Sequence, residues 1–274
     1  MTGNSYSEKC TVLRQLMQTY AKGNVMVAFS GGVDSSLLLK MAGMYAEEQG
    51  KKVYAVTADT ELHALQDMQI AKQITEELGA VHIVLELQEL EQADIQNNPL
   101  DRCYRCKKYL FGKIKEKAEE LQALTVLEGT NADDMLVYRP GIRAVEELGI
   151  KSPLREAGFA KEEVRRLAKE YGISAADRPS APCLATRFPY GEFLDRQKLA
   201  RVEQGEQFLR SMGFYNVRLR VHGDIARIEV DDTDMNQLLG NRKDIINYLK
   251  ALGYQYITMD LEGFRSGSMD IHTN

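Results

Sequence analysis

Two parts of this 274-residue sequence carry residue types and spacings suited to chemistry. The first is a set of three cysteines. Cys103 and Cys106 form a C-x-x-C in DRCYRCKKYLF, flanked by Arg102, Arg105, Lys107 and Lys108, and Cys183 stands in PCLATR with Arg187 four residues on. Positive neighbours favour the thiolate, the form that attacks carbon or binds metal. A closed structural zinc site wants four ligands, and only three cysteines cluster by motif. An iron–sulfur cluster held by three thiolates would leave one iron open to an exogenous ligand. Incidental cysteines at a helix start are the plainer alternative, and Cys10 reads as a lone structural or exposed thiol. The second part is VMVAFSGGVDSS, Val25 to Ser36. An apolar run ends in Gly31 and Gly32, and Leu37, Leu38 and Leu39 then open a helical pattern: strand, tight turn, helix. Backbone N–H groups and the positive end of the helix dipole attract a phosphate at such a turn. Ser30, Ser35 and Ser36 add hydroxyls, Asp34 is a magnesium ligand candidate, and Ala28 ends the strand beside them. No GK[ST] follows the glycines, so the loop is not a Walker A sequence.

These residues must be positioned by strands and helices, and the pattern supplies them in alternation. Glu8 to Tyr20 reads as an amphipathic helix, Val53 to Thr57 as a buried strand, Val81 to Leu87 as the next strand, and Leu62 to Leu78 as the helix between them. Such alternation predicts an α/β fold with a doubly wound parallel sheet, whose ligands sit beyond the carboxyl ends of the strands. Thr57 is thereby a nucleotide-site candidate or a helix cap. A further strand, Thr125 to Leu127, leads into EGTNADD, where Gly129, Thr130 and Asn131 offer a polar turn and Asp133 or Asp134 a magnesium ligand. Helix capping is the alternative use of that loop. Ser152 to Ile173 is a proline-led turn and a helix that closes a first domain, residues 1–178. Residues 179–274 form a smaller α+β domain: a junction loop with Cys183, a helix (Asp195 to Met212), strands near Val217 to Val221 and Ala226 to Val230, a helix (Thr233 to Leu252) and a strand (Tyr254 to Met259). Arg218, Arg220 and His222 alternate with apolar residues and so share one strand face.

Composition sets the remaining bounds. A hydrophobic fraction of 44% with 27% charged residues is that of a soluble globular protein. No apolar run approaches the ~20 residues of a membrane span, and the first 20 residues lack a signal pattern, so a cytoplasmic protein without membrane contact is expected. A net charge of −5 gives no reason to expect a nucleic acid partner. A homo-oligomer is expected.

SGGVDSS resembles the PP-loop of the ATP pyrophosphatases, Rossmann-like enzymes that split ATP between its α and β phosphates and transfer AMP to a substrate oxygen. Together with GTNADD, SPLREAG, PCLATRFPYG, VRLRVHGDIARIEV and GFRSGSM, it resembles the LarE family over nearly the whole chain. The resemblance implies ATP and magnesium as cofactors and a small mononucleotide dicarboxylate as substrate: pyridinium-3,5-biscarboxylic acid mononucleotide, adenylated and converted to thiocarboxylates for the nickel-pincer cofactor of lactate racemase. In single-cysteine members the cysteine in the position of Cys183 donates its sulfur and becomes dehydroalanine. Members that also carry C-x-x-C are associated with a 4Fe-4S cluster, here on Cys103, Cys106 and Cys183. Phosphate and carboxylates call for cations, and Arg187, Arg218 and Arg220 are the candidates, with Glu229 and Arg265 as weaker ones. The competing readings are a PP-loop tRNA thiolase, an amidotransferase-type synthetase and a non-catalytic nucleotide sensor.

Overall fold

The computed structural model describes residues 5–136, 140–178, 182–265 and 267–269. The chain folds into two compact units, Met1–Ile95 with Asp101–Ala181, and Gln96–Leu100 with Pro182–Asn274. The expected boundary at 178/179 and part of the junction loop involve residues 179–181, and the GFRSGSM motif includes residue 266; these lie outside the described residues.

The first unit is a parallel sheet of β1 (Asn24–Ala28), β2 (Val53–Asp59), β3 (Val81–Glu86) and β4 (Ala123–Leu127), in the order β3-β2-β1-β4. Around it run α1 (Tyr6–Tyr20), α2 (Val33–Glu47), α3 (Leu65–Glu77), the short α4 (Glu89–Gln92), α5 (Arg102–Glu120), α6 (Gly141–Glu147), the short α7 (Pro153–Glu156) and α8 (Lys161–Glu170). Side-chain alternation sends the apolar residues of the central strand β1 to both faces of the sheet. Val25 and Val27 pack into a core with Leu13, Met17, Leu37 and Phe159, while Met26 packs into the opposite one with Tyr54, Phe111 and Val126. Both faces of the sheet are therefore covered by helices, the doubly wound α/β arrangement that the alternation implied. The chain leaves β1 to build β2 and β3 on one side and returns to add β4 on the other. The carboxyl ends of β1 and β4 flank the point where strand order reverses, the usual ligand crevice of such sheets.

The second unit contains α9 (Arg196–Ser211), β5 (Val217–His222), β6 (Ile225–Val230), α10 (Met235–Gly240), α11 (Arg242–Ala251) and β7 (Tyr256–Met259). β5 and β6 are antiparallel and β7 adds parallel to β6. The single helix expected over 233–252 is two helices, because Asn241 at φ −94°, ψ 10° caps the first and precedes the second. Over 152–173 the expected proline-led turn is the short α7 and the expected helix is α8, with Gly158 at φ +72° between them.

Candidate active site

The loop after β1 is built from short side chains bonded to one another. Ser35 Oγ donates to the Gly32 carbonyl (3.1 Å) and accepts from the Ser30 amide (3.3 Å), while Ser30 Oγ accepts from the Gly32 amide (3.4 Å). Gly31 adopts φ +67°, and an added Cβ would lie 3.2 Å from the Ala71 backbone and from Arg178 Nη1. Arg178 fastens the loop from outside, donating from Nη1 to the Gly31 carbonyl (2.8 Å) and from Nη2 to Asp67 (2.5 Å). Gly32 is the N-cap of α2 and carries no capping side chain, so the start of this 15-residue helix presents backbone donors and the positive end of its dipole.

The loop after β4 closes directly over this helix start. A Cβ on Gly129 would sit 2.9 Å from Asp34 Cβ and 3.2 Å from the Ser35 amide nitrogen, which only a glycine permits. Asn131 Nδ2 donates to Asp34 Oδ1 (3.1 Å), and Asn131 Oδ1 accepts from the amides of Asp133 and Asp134. Glu128, buried at the end of β4, accepts from the amide and hydroxyl of Thr130 and from Ser152 Oγ, which sets the shape of the turn. Ser30, Gly31, Gly32, Asp34, Ser35, Gly129, Thr130 and Asp133 are thus gathered on two adjoining loops. Ala28 closes β1 beside them. Thr57 lies on β2, buried, with its hydroxyl 2.9 Å from His82 Nε2. Burial of His82 holds its ring below the usual histidine range and so neutral near pH 7.

One residue of this cluster, Lys161, is not marked by any motif in the sequence. Lys161 Nζ pairs with Asp34 Oδ2, and its backbone amide donates to Asp133 Oδ2 (2.8 Å). Lys161 is the first residue of α8, where a cation opposes the helix dipole. That conflict with local preference was the available signal. Asp34 therefore has a cation beside it already, and its hard oxygen donors suit magnesium as well.

Cys103 and Cys106 lie one turn apart at the start of α5, on one helix face, both half-buried. Arg102 Nη2 approaches Cys103 Sγ at 3.9 Å. The other neighbouring cations are partly compensated: Arg105 binds Asp101 and Asp94, Lys108 pairs with Glu147, and Lys107 is 3.9 Å from Glu128. Among the described residues no three His, Cys, Asp or Glu side chains gather as a metal-binding group. By donor chemistry the thiol pair suits a soft metal cluster, as two of its ligands.

In the second unit, Cys183 is the N-cap of a 3₁₀ turn, Leu184–Arg187. Arg187 holds this turn from within: Nη1 donates to the carbonyls of Pro182 (2.9 Å) and Cys183 (3.1 Å) and to Thr186 Oγ1 (2.9 Å). Its Nε and Nη2 form a two-point pair with Glu206 at 2.8 and 2.9 Å. Glu206 also accepts from Arg210 and from the Leu219 amide. Burial alone would raise its carboxyl, but Arg187, Arg210 and Arg218 together hold it below the usual range. Arg220 pairs with Glu229 (2.8 Å) and donates from Nη1 to the Thr186 carbonyl (2.9 Å), a second clamp on the same turn. Glu229, fully buried, also receives Ser268 Oγ (2.6 Å) and Arg227. Arg218 donates to the Val217 carbonyl and lies over the Phe264 ring. Burial, with Arg187 adding repulsion, pushes its guanidinium down to about 10, still charged at neutral pH. Arg265 pairs with Asp260 and Glu262. Arg187 and Arg220 thus both donate to backbone carbonyls around the turn that Cys183 begins.

A strand-end phosphate loop without a Walker lysine motif, closed by a second loop at the switch point, defines a PP-loop nucleotide-binding protein. A family model described as a PP-loop domain matches residues 6–137. The chain is 40% identical, over 90% of its length and 88% of the other protein, to pyridinium-3,5-bisthiocarboxylic acid mononucleotide synthase of Lactiplantibacillus plantarum. It is 34% identical to an uncharacterised Synechocystis protein, over 94% of this chain and 96% of that one. Similarity to the tRNA-specific 2-thiouridylase of Rickettsia felis is 25%, over 68% of this chain and 60% of that protein. The chain belongs to the pyridinium-3,5-bisthiocarboxylic acid mononucleotide synthase family, the LarE family, within the PP-loop proteins. It is an enzyme, an ATP-dependent sulfurtransferase. Among the described residues no helix is long and apolar enough to cross a membrane.

Proposed function

We propose that the protein adenylates the carboxylates of pyridinium-3,5-biscarboxylic acid mononucleotide with ATP and converts them to thiocarboxylates, for the nickel-pincer cofactor of lactate racemase. The observation that supports this reading is the packing of Gly129 on Asp34 and Ser35, which brings the two loops together at the switch point, where they would form one anion site. Ser30, Gly31, Gly32 and Ser35 receive the phosphates, Ala28 and Thr57 lie toward the nucleoside, and Gly129 and Thr130 complete the loop. Asp34, with Asp133 nearby, would hold magnesium, and Lys161 adds positive charge where pyrophosphate leaves.

The chemistry is a two-stage activation. A substrate carboxylate oxygen attacks the α phosphorus and pyrophosphate departs with the bonding pair. A carboxylate is a poor electrophile, and joining it to AMP supplies a good leaving group. A sulfur nucleophile then forms the C–S bond at the acyl carbon, and AMP leaves with the former carboxylate oxygen. Cys183 is the chain's own sulfur on the turn that Arg187 and Arg220 hold, with Arg218 and Glu229 in the same layer. Cys103, Cys106 and Cys183 would together hold a 4Fe-4S cluster, which when bound supplies an open iron able to carry sulfide. The setting proposed is cytoplasmic and homo-oligomeric, with small molecules and no nucleic acid as partners.

The test combines ATP, magnesium and the dicarboxylate mononucleotide under anaerobic conditions, after reconstitution with iron and sulfide. AMP and pyrophosphate are the expected products, with more than one thiocarboxylate per chain and Cys183 intact. ADP and phosphate would reject adenylation. One thiocarboxylate per chain with Cys183 converted to dehydroalanine would replace the cluster with sacrifice of the cysteine. A tRNA gel shift would favour the thiolase reading.

A further inference from the structure

The outer side of the phosphate loop is held by a chain of contacts that lies in neither loop motif. Arg165 of α8 donates from Nη1 to the Ala176 carbonyl (2.7 Å) and from Nη2 to the Arg178 carbonyl (2.9 Å), which fixes the backbone where Arg178 stands. The Arg178 guanidinium is in turn held at two points. Nη2 binds Asp67 in the first turn of α3 (2.5 Å), and Nη1 donates to the Gly31 carbonyl (2.8 Å). The side chains of Arg178 and Asp67 are 17% and 23% exposed, so the pair is largely withdrawn from water. A trans peptide points its C=O and its N–H in opposite directions. With the Gly31 carbonyl turned outward to Arg178, the Gly32 amide of the same peptide is turned inward. There it meets Ser30 Oγ at 3.4 Å, a long contact that a phosphate oxygen could replace with a shorter one. A carbonyl that accepts from a cation also polarises its peptide, which makes the N–H on the other side a stronger donor.

We propose that Arg178 is a positioning residue for ATP: it holds and polarises the Gly31–Gly32 peptide so that the Gly32 N–H donates to a phosphate oxygen, without itself touching the nucleotide. This rests on the nucleotide reading of the loop given above and deepens it. Asp67 already balances the charge of the guanidinium, so Arg178 is not a spare cation waiting for an anion. Its planar fork bridges a carboxylate and a carbonyl at once, a geometry that the single ammonium of lysine does not reproduce. Asp67 is itself favoured where it stands, because a carboxylate in the first turn of a helix meets the positive end of the dipole.

Two measurements on the full chain test the assignment: calorimetric titration with ATP and magnesium, and the position of the Gly32 amide proton in the NMR spectrum. Arg178→Met is expected to weaken ATP by about tenfold, the effect of losing one charge-assisted contact, and to move the Gly32 amide proton upfield as its peptide loses polarisation. Added methylguanidinium should restore part of both. Arg178→Lys should recover only part of the affinity; full recovery with the Gly32 resonance still displaced would show that charge alone matters and would overturn the assignment. A variant that loses thermal stability while its ATP affinity and Gly32 resonance stay as in the wild type overturns it too, since Arg178 would then serve only the fold. If Arg178→Met does not fold, Asp67→Asn takes its place, because it frees the guanidinium without removing it. A smaller loss of ATP affinity with a displaced Gly32 resonance is then expected, and no change in either sinks the proposal. If the wild type binds ATP and the variants bind it equally, only the role of Arg178 fails. If the wild type binds no ATP, the nucleotide reading of the loop fails and the role of Arg178 with it.

Discussion

Two ion pairs, one in each unit, handle charge in opposite ways. In the first, the ion pair at the phosphate loop is open: the side chains of Asp34 and Lys161 are 18% and 30% exposed. In the second, Arg187 and Glu206 are 3% and 1% exposed. An open pair is worth little to stability and can exchange partners for a ligand at small cost. A buried pair is fixed, because separating it leaves an uncompensated charge in a low-dielectric interior. The first arrangement suits groups that meet a changing substrate, and the second suits groups that hold a loop in place.

Substitutions can break this contrast. Arg187→Ala should have the largest effect, a destabilisation of about 3–5 kcal/mol in denaturant unfolding, since Glu206 is left buried and Cys183 loses a clamp. A loss under about 1 kcal/mol would mean that the pair is not structural, and the comparison would collapse. Asp34→Ala should cut pyrophosphate release by about a hundredfold or more, roughly 2.7 kcal/mol of transition-state stabilisation. Its unfolding midpoint should stay near that of the wild type; a large drop would place Asp34 with the buried pairs.

Gly129→Ala tests the meeting of the two loops. The added methyl collides with Asp34 and Ser35, so a destabilisation of about 1–3 kcal/mol is expected, together with slower ATP cleavage. Full activity would show that the loops are not packed as described.

The smallest effect concerns pH. Glu206 has a carboxyl held below its ordinary value of 4.5, so its ionised form stabilises the fold above that value. The contribution is lost as pH falls from about 4.5 through the lowered folded value. The stability gap between wild type and Glu206→Gln should therefore narrow as the solution is acidified below about pH 4.5. A gap that stays constant down to about pH 2–3 would remove Glu206 from the account.

Much of the first site was legible because it is local. Ser30, Gly31, Gly32, Asp34 and Ser35 fall within six consecutive residues, and an apolar strand before a leucine-rich helix specifies the turn that displays them. Alternation of strands and helices likewise specified a parallel sheet, and with it the end of the sheet where Thr57 and the GTN turn had to lie. What the pattern could not supply was strand order. Only the return of β4 to the far side of β1 brings Gly129 against Asp34, across 95 residues of chain, and only tertiary packing sets Lys161 beside the same carboxylate. The arginines show the same limit from the other side. Arg187 and Arg220 are visible as cations in the sequence, as Glu229 is by resemblance, but their pairing depends on burial and on Glu206, which looks like any other acidic residue of a helix until burial removes the water around it. Local geometry and hydrophobic period are written in neighbouring residues, whereas the partner of a buried charge is decided by which distant segments the folded chain brings within about 3 Å, where the loss of solvent makes that choice costly to reverse.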